Sequence, residues 1–133
     1  MPRTGMTHPR TVLGLCGSLG AASINRAVLC AAAAVAPPTV RVELYPSLAG
    51  LPLFNPDLDA TALAPVAVLN GAPRSQHAHA ALCETLRTMS ARPIEGACVA
   101  LPILGSGLDA RDIASHAQHA ASLRAALLAL TAT

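Results

Sequence analysis

The stretch TVLGLCGSLGAASINRAVLCAAAAVAPP, residues 11–38, constrains the fold more than any other part of the chain. Its first seven residues, TVLGLCG (11–17), form a short apolar run ended by Gly-Ser, the pattern of a strand buried on both faces. The later part, SINRAVLCAAAAVA (23–36), reads as a helix with Ser23 as N-cap and Pro37-Pro38 as its stop. A strand that runs into a helix returns the chain across the sheet, and such a crossover makes the next strand parallel to the first. That next strand is TVRVELY (39–45), where Val40, Val42 and Leu44 alternate with Arg41, Glu43 and Tyr45. Its one exposed face suits a sheet edge.

The same alternation continues. VAVLNG (66–71) is a second buried-strand run, and the spacing of Leu82, Leu86 and Met89 predicts a helix over about 75–90. EGACVALPIL (95–104) reads as a further strand, and SHAQHAASLRAALLALTAT (115–133) as an amphipathic terminal helix after the loop GSGLDARD. The connection at 46–65 is rich in Pro and Gly, with at most a turn or two of helix expected around 58–64. The order β-α-β-loop-β-α-β-α predicts an α/β domain of three layers with a mostly parallel sheet of four strands. Residues 1–10, with Pro2, Gly5 and Pro9, read as a flexible leader and residues 11–133 as a single domain. Hydrophobic residues make up 53% of the chain, yet Tyr45 and Phe54 are its only aromatics, so the core must be built from Ala, Val, Leu and Ile.

Charge and cysteine usage exclude several functions. Nine arginines, scattered from Arg3 to Arg124, stand against seven acids, which leaves no electrostatic footprint for nucleic acid. The apolar stretch Val12–Cys16 is short for a secretory core, and no run reaches the ~20 residues of a membrane span. The expectation is a cytoplasmic protein with neither nucleic-acid nor membrane partner. Cys16, Cys30, Cys83 and Cys98 lack metal-binding spacing and are expected as reduced core thiols. His79 with Cys83, and His116 with His119, can share helix faces, but no third ligand falls at a recognised offset. No metal is expected, and these histidines are expected to be partly exposed. Asp109 and Asp112 suit a cap on the terminal helix.

In a parallel α/β sheet the first strand-to-helix loop is a favoured phosphate site. GSLGAAS lies there, and helix N-terminal N–H groups with the hydroxyls of Ser18 and Ser23 make an anion cradle. Its type narrows by elimination. GxGxxG ending at Gly20 would need glycine where Leu15 stands; GxxxxGK[ST] fails because the chain has no lysine; GxSxG fails at Cys16.

GSLGAASINRAVL resembles the G-S-L-R-x-x-S-x-N motif of the NADPH-dependent FMN reductase family, which is flavodoxin-like. LPLFNPDLD (51–59), PVAVLNGAP (65–73) and VALPILGSGLDARD with the last helix are similar to later segments of that family, so the resemblance covers nearly the whole chain. It implies a flavodoxin-like domain that binds FMN, uses NAD(P)H as co-substrate and reduces a small-molecule acceptor such as a quinone, dye or metal ion. By motif position, Ser18, Leu19, Gly20, Ser23 and Asn25 would line the FMN phosphate, and Gly71, Ala72, Pro73 and Arg74 would lie by the flavin ring. The resemblance assigns no catalytic side chain, because in flavin chemistry the protein holds and tunes the ring. Two departures stand out: Gly20 replaces an arginine, and a strand-helix unit is missing between Asp59 and Pro65. Loss of that unit would uncover apolar sheet surface, which implies a homodimer or larger homo-oligomer. The rival readings are a non-enzymatic flavodoxin-like binding or assembly module and a Rossmann-like nucleotide domain with Glu43 on a ribose.

Overall fold

The computed structural model describes residues 8–17, 23–46, 64–71, 76–89, 91–103 and 107–132. Strand β1 (Arg10–Gly14), helix α1 (Ile24–Val35) and strand β2 (Val40–Leu44) form the expected crossover, and β1 pairs with β2 in parallel, Arg10 opposite Val40 through Gly14 opposite Leu44. The N–H of Tyr45 donates to the Gly14 carbonyl at 2.8 Å and extends the ladder by one bond. Strands β3 (Ala64–Val66) and β4 (Leu69–Asn70) follow, then helix α2 (Gln76–Thr88), strand β5 (Ala91–Pro93), a 3-10 turn (Glu95–Ala97) and strand β6 (Val99–Ala100). The chain closes with helices α3 (Ala110–Ser115) and α4 (Ala117–Thr131). The architecture is α/β, and among the described residues every ladder is parallel: β1 with β2, β3 with β5, β4 with β6.

Several boundaries differ from expectation. β1 is buried on one face only: Gly14 is buried and Val12 half-buried, while Leu13 is 58% exposed and Leu15, just beyond the strand, 57%. Ala64 opens a strand rather than closing a helical turn, and the rest of 58–64 lies outside the described residues. The run 66–71 is split, with β3 ending at Val66 and β4 starting at Leu69. The run 95–104 is not one strand, because Glu95–Ala97 coil into the 3-10 turn. Two residues separate Val66 from Leu69 and five separate Pro93 from Val99, so the turn takes up three extra residues between the two ladders. The N–H groups of Ile94 and Val99 donate to the carbonyls of Val66 and Val68, both at 2.9 Å, which carries the pairing across the turn.

The terminal helix α4 is preceded by a further short helix, α3, which begins within the stretch GSGLDARD expected as a loop. Asp109 and Asp112 form a reciprocal capping box, Asp109 Oδ1 accepting from Asp112 N at 2.8 Å and Asp112 Oδ2 from Asp109 N at 3.1 Å, and this starts α3 at Ala110. His116 ends α3 and caps α4, its Nδ1 accepting from His119 N at 3.4 Å.

The core is aliphatic. Val28, Ala31, Ala32 and Val35 of α1 meet Leu101, Ile103, Ile113, Ala120 and Leu123. α1 packs on α3, α4, β2 and β4, whereas α2 packs on β5. Alanines at the helix contacts let the backbones approach closely. Arg124 of α4 donates from Nε to the Val35 carbonyl at 3.0 Å, satisfying one of the open carbonyls at the end of α1. Arg10 donates to the Thr131 carbonyl and ties the start of β1 to the end of α4.

His119 is 8% exposed, contrary to the expected partial exposure, and its ring stacks on His116 with centroids 4.1 Å apart. Burial, and then the neighbouring His116, hold its pKa below the usual histidine value. The unfolded chain therefore takes up a proton that the folded protein resists once pH falls below about 6.5. Stability should decline from that pH downward until the lowered folded-state pKa is passed. Thermal unfolding from pH 7.5 to 5 should show a steeper loss of Tm for the wild type than for His119→Leu; parallel curves would refute this.

Candidate functional site

The start of α1 and the end of β4 meet at one place. Ser23 is the N-cap of α1, its Oγ accepting from Arg26 N at 3.3 Å. Asn25 sits in the first turn and accepts, through Oδ1, the N–H of Gly71 at 3.2 Å. These two residues are 46 positions apart in sequence. The bond joins the segment expected to hold a phosphate to the segment expected to lie beside the ring, and Asn25 serves here as a clamp on Gly71.

Gly71 is buried, and its lack of a side chain is required. A Cβ there would lie 2.9 Å from Val28 Cγ2 and 3.2 Å from both Ile103 Cδ1 and Ile24 Cγ1. Val28 is fully buried and β-branched, so it has little freedom to yield. Ser18, Leu19 and Gly20 lie outside the described residues, as do Ala72, Pro73 and Arg74. Of the nine expected site residues, the structure thus brings Ser23, Asn25 and Gly71 together. Glu43, the alternative ribose acid, is engaged by Arg41 at 2.8 Å on the exposed face of β2.

Arg26 was not singled out from the sequence. It occupies the position where a capping box would place Glu or Gln, as Asp112 does in α3, and α1 has no acidic residue in its first turn. A cation there opposes the helix dipole. The signal was legible as Ser-x-x-Arg where Ser-x-x-Glu is the stabilising choice.

Elsewhere, a cavity of about 390 Å³ is lined by His8, Arg10, Thr39, Leu128, Thr131 and Ala132. It lies at the N-terminal ends of β1 and β2, opposite the end where parallel sheets bind ligands. Among the described residues, no three His, Cys, Asp or Glu side chains are grouped as metal ligands, and no helix is long and apolar enough to cross a membrane. No protein-family model matches the chain, and searches of curated proteins and of solved structures found no match.

Gly71→Ala should destabilise the protein by about 1–3 kcal/mol through overpacking against Val28. Asn25→Ala removes one part-buried hydrogen bond without overpacking and should cost about 1 kcal/mol. Urea unfolding checks both, and equal costs would contradict the close approach at Gly71.

Proposed function

We propose that this chain is an FMN-binding oxidoreductase of the NADPH-dependent FMN reductase type, built as a shortened three-layer flavodoxin-like domain. The observation that supports the reading is the Asn25–Gly71 hydrogen bond, which joins the start of α1 to the end of β4.

The described residues fit an anionic tail. The N–H groups of Ile24 and Asn25, at the start of α1, have no intrahelical acceptor by helix geometry. Arg26 brings positive charge to the same turn, with no carboxylate there to neutralise it. A bound phosphate would turn that unfavourable placement into a favourable one. In this reading Ser18, Leu19, Gly20, Ser23 and Asn25 surround the phosphate, and Gly71 lets the backbone come close beside Ala72, Pro73 and Arg74. Bound FMN supplies a ring that accepts hydride from NAD(P)H and passes electrons to a quinone, dye or metal acceptor. The side chains contribute binding and orientation.

FMN should bind at least tenfold more tightly than riboflavin, since each hydrogen bond to a charged group is worth about 1.5–3 kcal/mol. Ser18→Ala should narrow that ratio. Arg26→Glu should move two measurements in opposite directions, raising Tm by completing the capping box while weakening FMN binding. Equal affinity for the two flavins in a fluorescence titration would remove the phosphate assignment.

A second reading, a non-enzymatic binding or assembly module on the same scaffold, is favoured by the outer face of β1. Leu13 and Leu15 stand open there beside the exposed Arg41–Glu43 pair. Apolar side chains of this exposure suit a homodimer or larger homo-oligomer, which both readings carry. Light scattering at micromolar concentration should show an assembly that Leu13→Lys disperses; a monomer in both proteins would exclude it. Visible absorption of the purified protein near the flavin bands separates enzyme from module.

A further inference from the structure

Among the described residues, strand β2 pairs with β1 alone, and no other strand lies along its second side. The N–H of Arg10 donates to the Thr39 carbonyl at 2.9 Å and the N–H of Tyr45 to the Gly14 carbonyl at 2.8 Å. The odd-numbered residues of this segment therefore turn their backbone groups toward β1, and strand alternation aims those of Val40, Val42 and Leu44 at the open side. The Val40 N–H is taken by the Pro37 carbonyl at 2.9 Å. Val42 and Leu44 share the inner face with the buried Val40, yet their side chains are only half-buried. About Val42 the segment PTVRVELYP (38–46) is self-complementary: Arg41 mirrors Glu43, Val40 mirrors Leu44, Thr39 mirrors Tyr45 and Pro38 mirrors Pro46. Arg41 and Glu43 meet at 2.8 Å on the outer face, with side chains 67% and 49% exposed.

We propose that the open side of β2 is an interface for a second copy of this chain, the two β2 strands pairing antiparallel about a two-fold axis at Val42. In this register Arg41 faces the second copy's Glu43, and Glu43 its Arg41, at a non-hydrogen-bonded position where side chains come closest. The Val42 N–H donates to the second copy's Val42 carbonyl and the Leu44 N–H to its Val40 carbonyl, each bond made twice by symmetry. Joined with the contact inside each strand, the charges form a ring of alternating sign. A slide of two residues would set Arg41 against Arg41 or Glu43 against Glu43, which is destabilising. A slide of one would set Val42 opposite a residue whose backbone groups already serve β1. Pro38 and Pro46 lack an N–H where the next donors would be needed, so the ladder ends at both. Charge selects the register and the prolines bound it. The product is one continuous sheet in the order β1-β2-β2-β1, in which Val42 and Leu44 are covered by their counterparts. The pairing requires no flavin. The outer face of β1 that carries Leu13 is a different surface, and dispersing an assembly built on it with Leu13→Lys leaves this pair as the remaining unit.

Sedimentation of the wild type should show the dimer. Arg41→Glu and Glu43→Arg each set like charges opposite one another across the axis, and each alone should weaken dimerisation about tenfold, since two cross-strand pairs are reversed. Mixed in equal parts, the two variants should associate with each other about as tightly as the wild type, because every contact across the axis is then between opposite charges. Within each variant chain the two charges stay alike, so a purely local role of the Arg41–Glu43 pair cannot produce this rescue. In the wild type, exchange of the Val42 and Leu44 amide hydrogens should slow as protein concentration rises. A mixture no tighter than either variant alone would overturn the proposal, as would a wild type that is monomeric at every soluble concentration or a dimer in which both amides exchange freely. Protection of both amides that persists on dilution to the monomer would assign the edge to another part of the same chain and equally overturn it. The wild-type exchange pattern decides even if a variant does not fold.

Discussion

Burial of one face of α1 is the constraint on which the rest of the molecule depends. Val28, Ala31 and Ala32 are entirely removed from solvent, and they touch the residues through which α3, α4 and the second half of the strands enter the core. With no aromatic side chain in the core cluster formed by the described residues, cohesion there comes from many small groups at short range. Such a core gains from backbone proximity what it lacks in side-chain volume. It has correspondingly little tolerance for added atoms, as the surroundings of Gly71 illustrate. The tie from Arg124 to the last turn of α1 belongs to the same economy, since α1 carries no basic residue in its own last turn and receives one from a neighbour.

The two capped helices obey different rules. At α3 every local preference is met: an acidic N-cap, an acidic residue three positions on, and reciprocal hydrogen bonds. At α1 the N-cap is equally good, yet the residue three positions on has the opposite charge. A chain that satisfies capping rules at one helix and breaks them at another marks the second as a place where stability is not the only demand. That the clamp on Gly71 comes from this same turn links the charge and the close backbone approach in one small region.

The sequence was most informative where periodicity and terminators agreed. The crossover from β1 through α1 to β2 was legible because Ser23 and Pro37-Pro38 bracket a strong helical pattern and β2 alternates cleanly. β5 was not, because Ala-Arg-Pro has no strand character of its own; it becomes a strand through pairing with β3. Helix α3 was hidden because the glycines of GSGLDARD read as a loop, with Asp109 and Asp112 expected to cap the helix that follows. Burial of His119 follows from where α4 docks, which no local pattern encodes. Of the candidate site, Ser23, Asn25 and Gly71 were accessible to motif reading, whereas Arg26 required comparison with a second helix start.

The 3-10 turn between β5 and β6 has a consequence for how this chain can change in length. Along 91–103 the odd-numbered strand positions are the more enclosed, Ala91 and Pro93 before the turn and Val99, Leu101 and Ile103 after it, while Arg92, Ala100 and Pro102 face water. Pro93 and Val99 are six residues apart while their partners Val66 and Leu69 are three apart, so the 3-10 turn takes up the difference and returns the chain with its inner side inward. A change of length here that the turn did not absorb would slip the strand register and turn Leu101 and Ile103 out of the core. Length variation in this segment is therefore confined to what the 3-10 turn can take up while Val99 stays opposite Leu69.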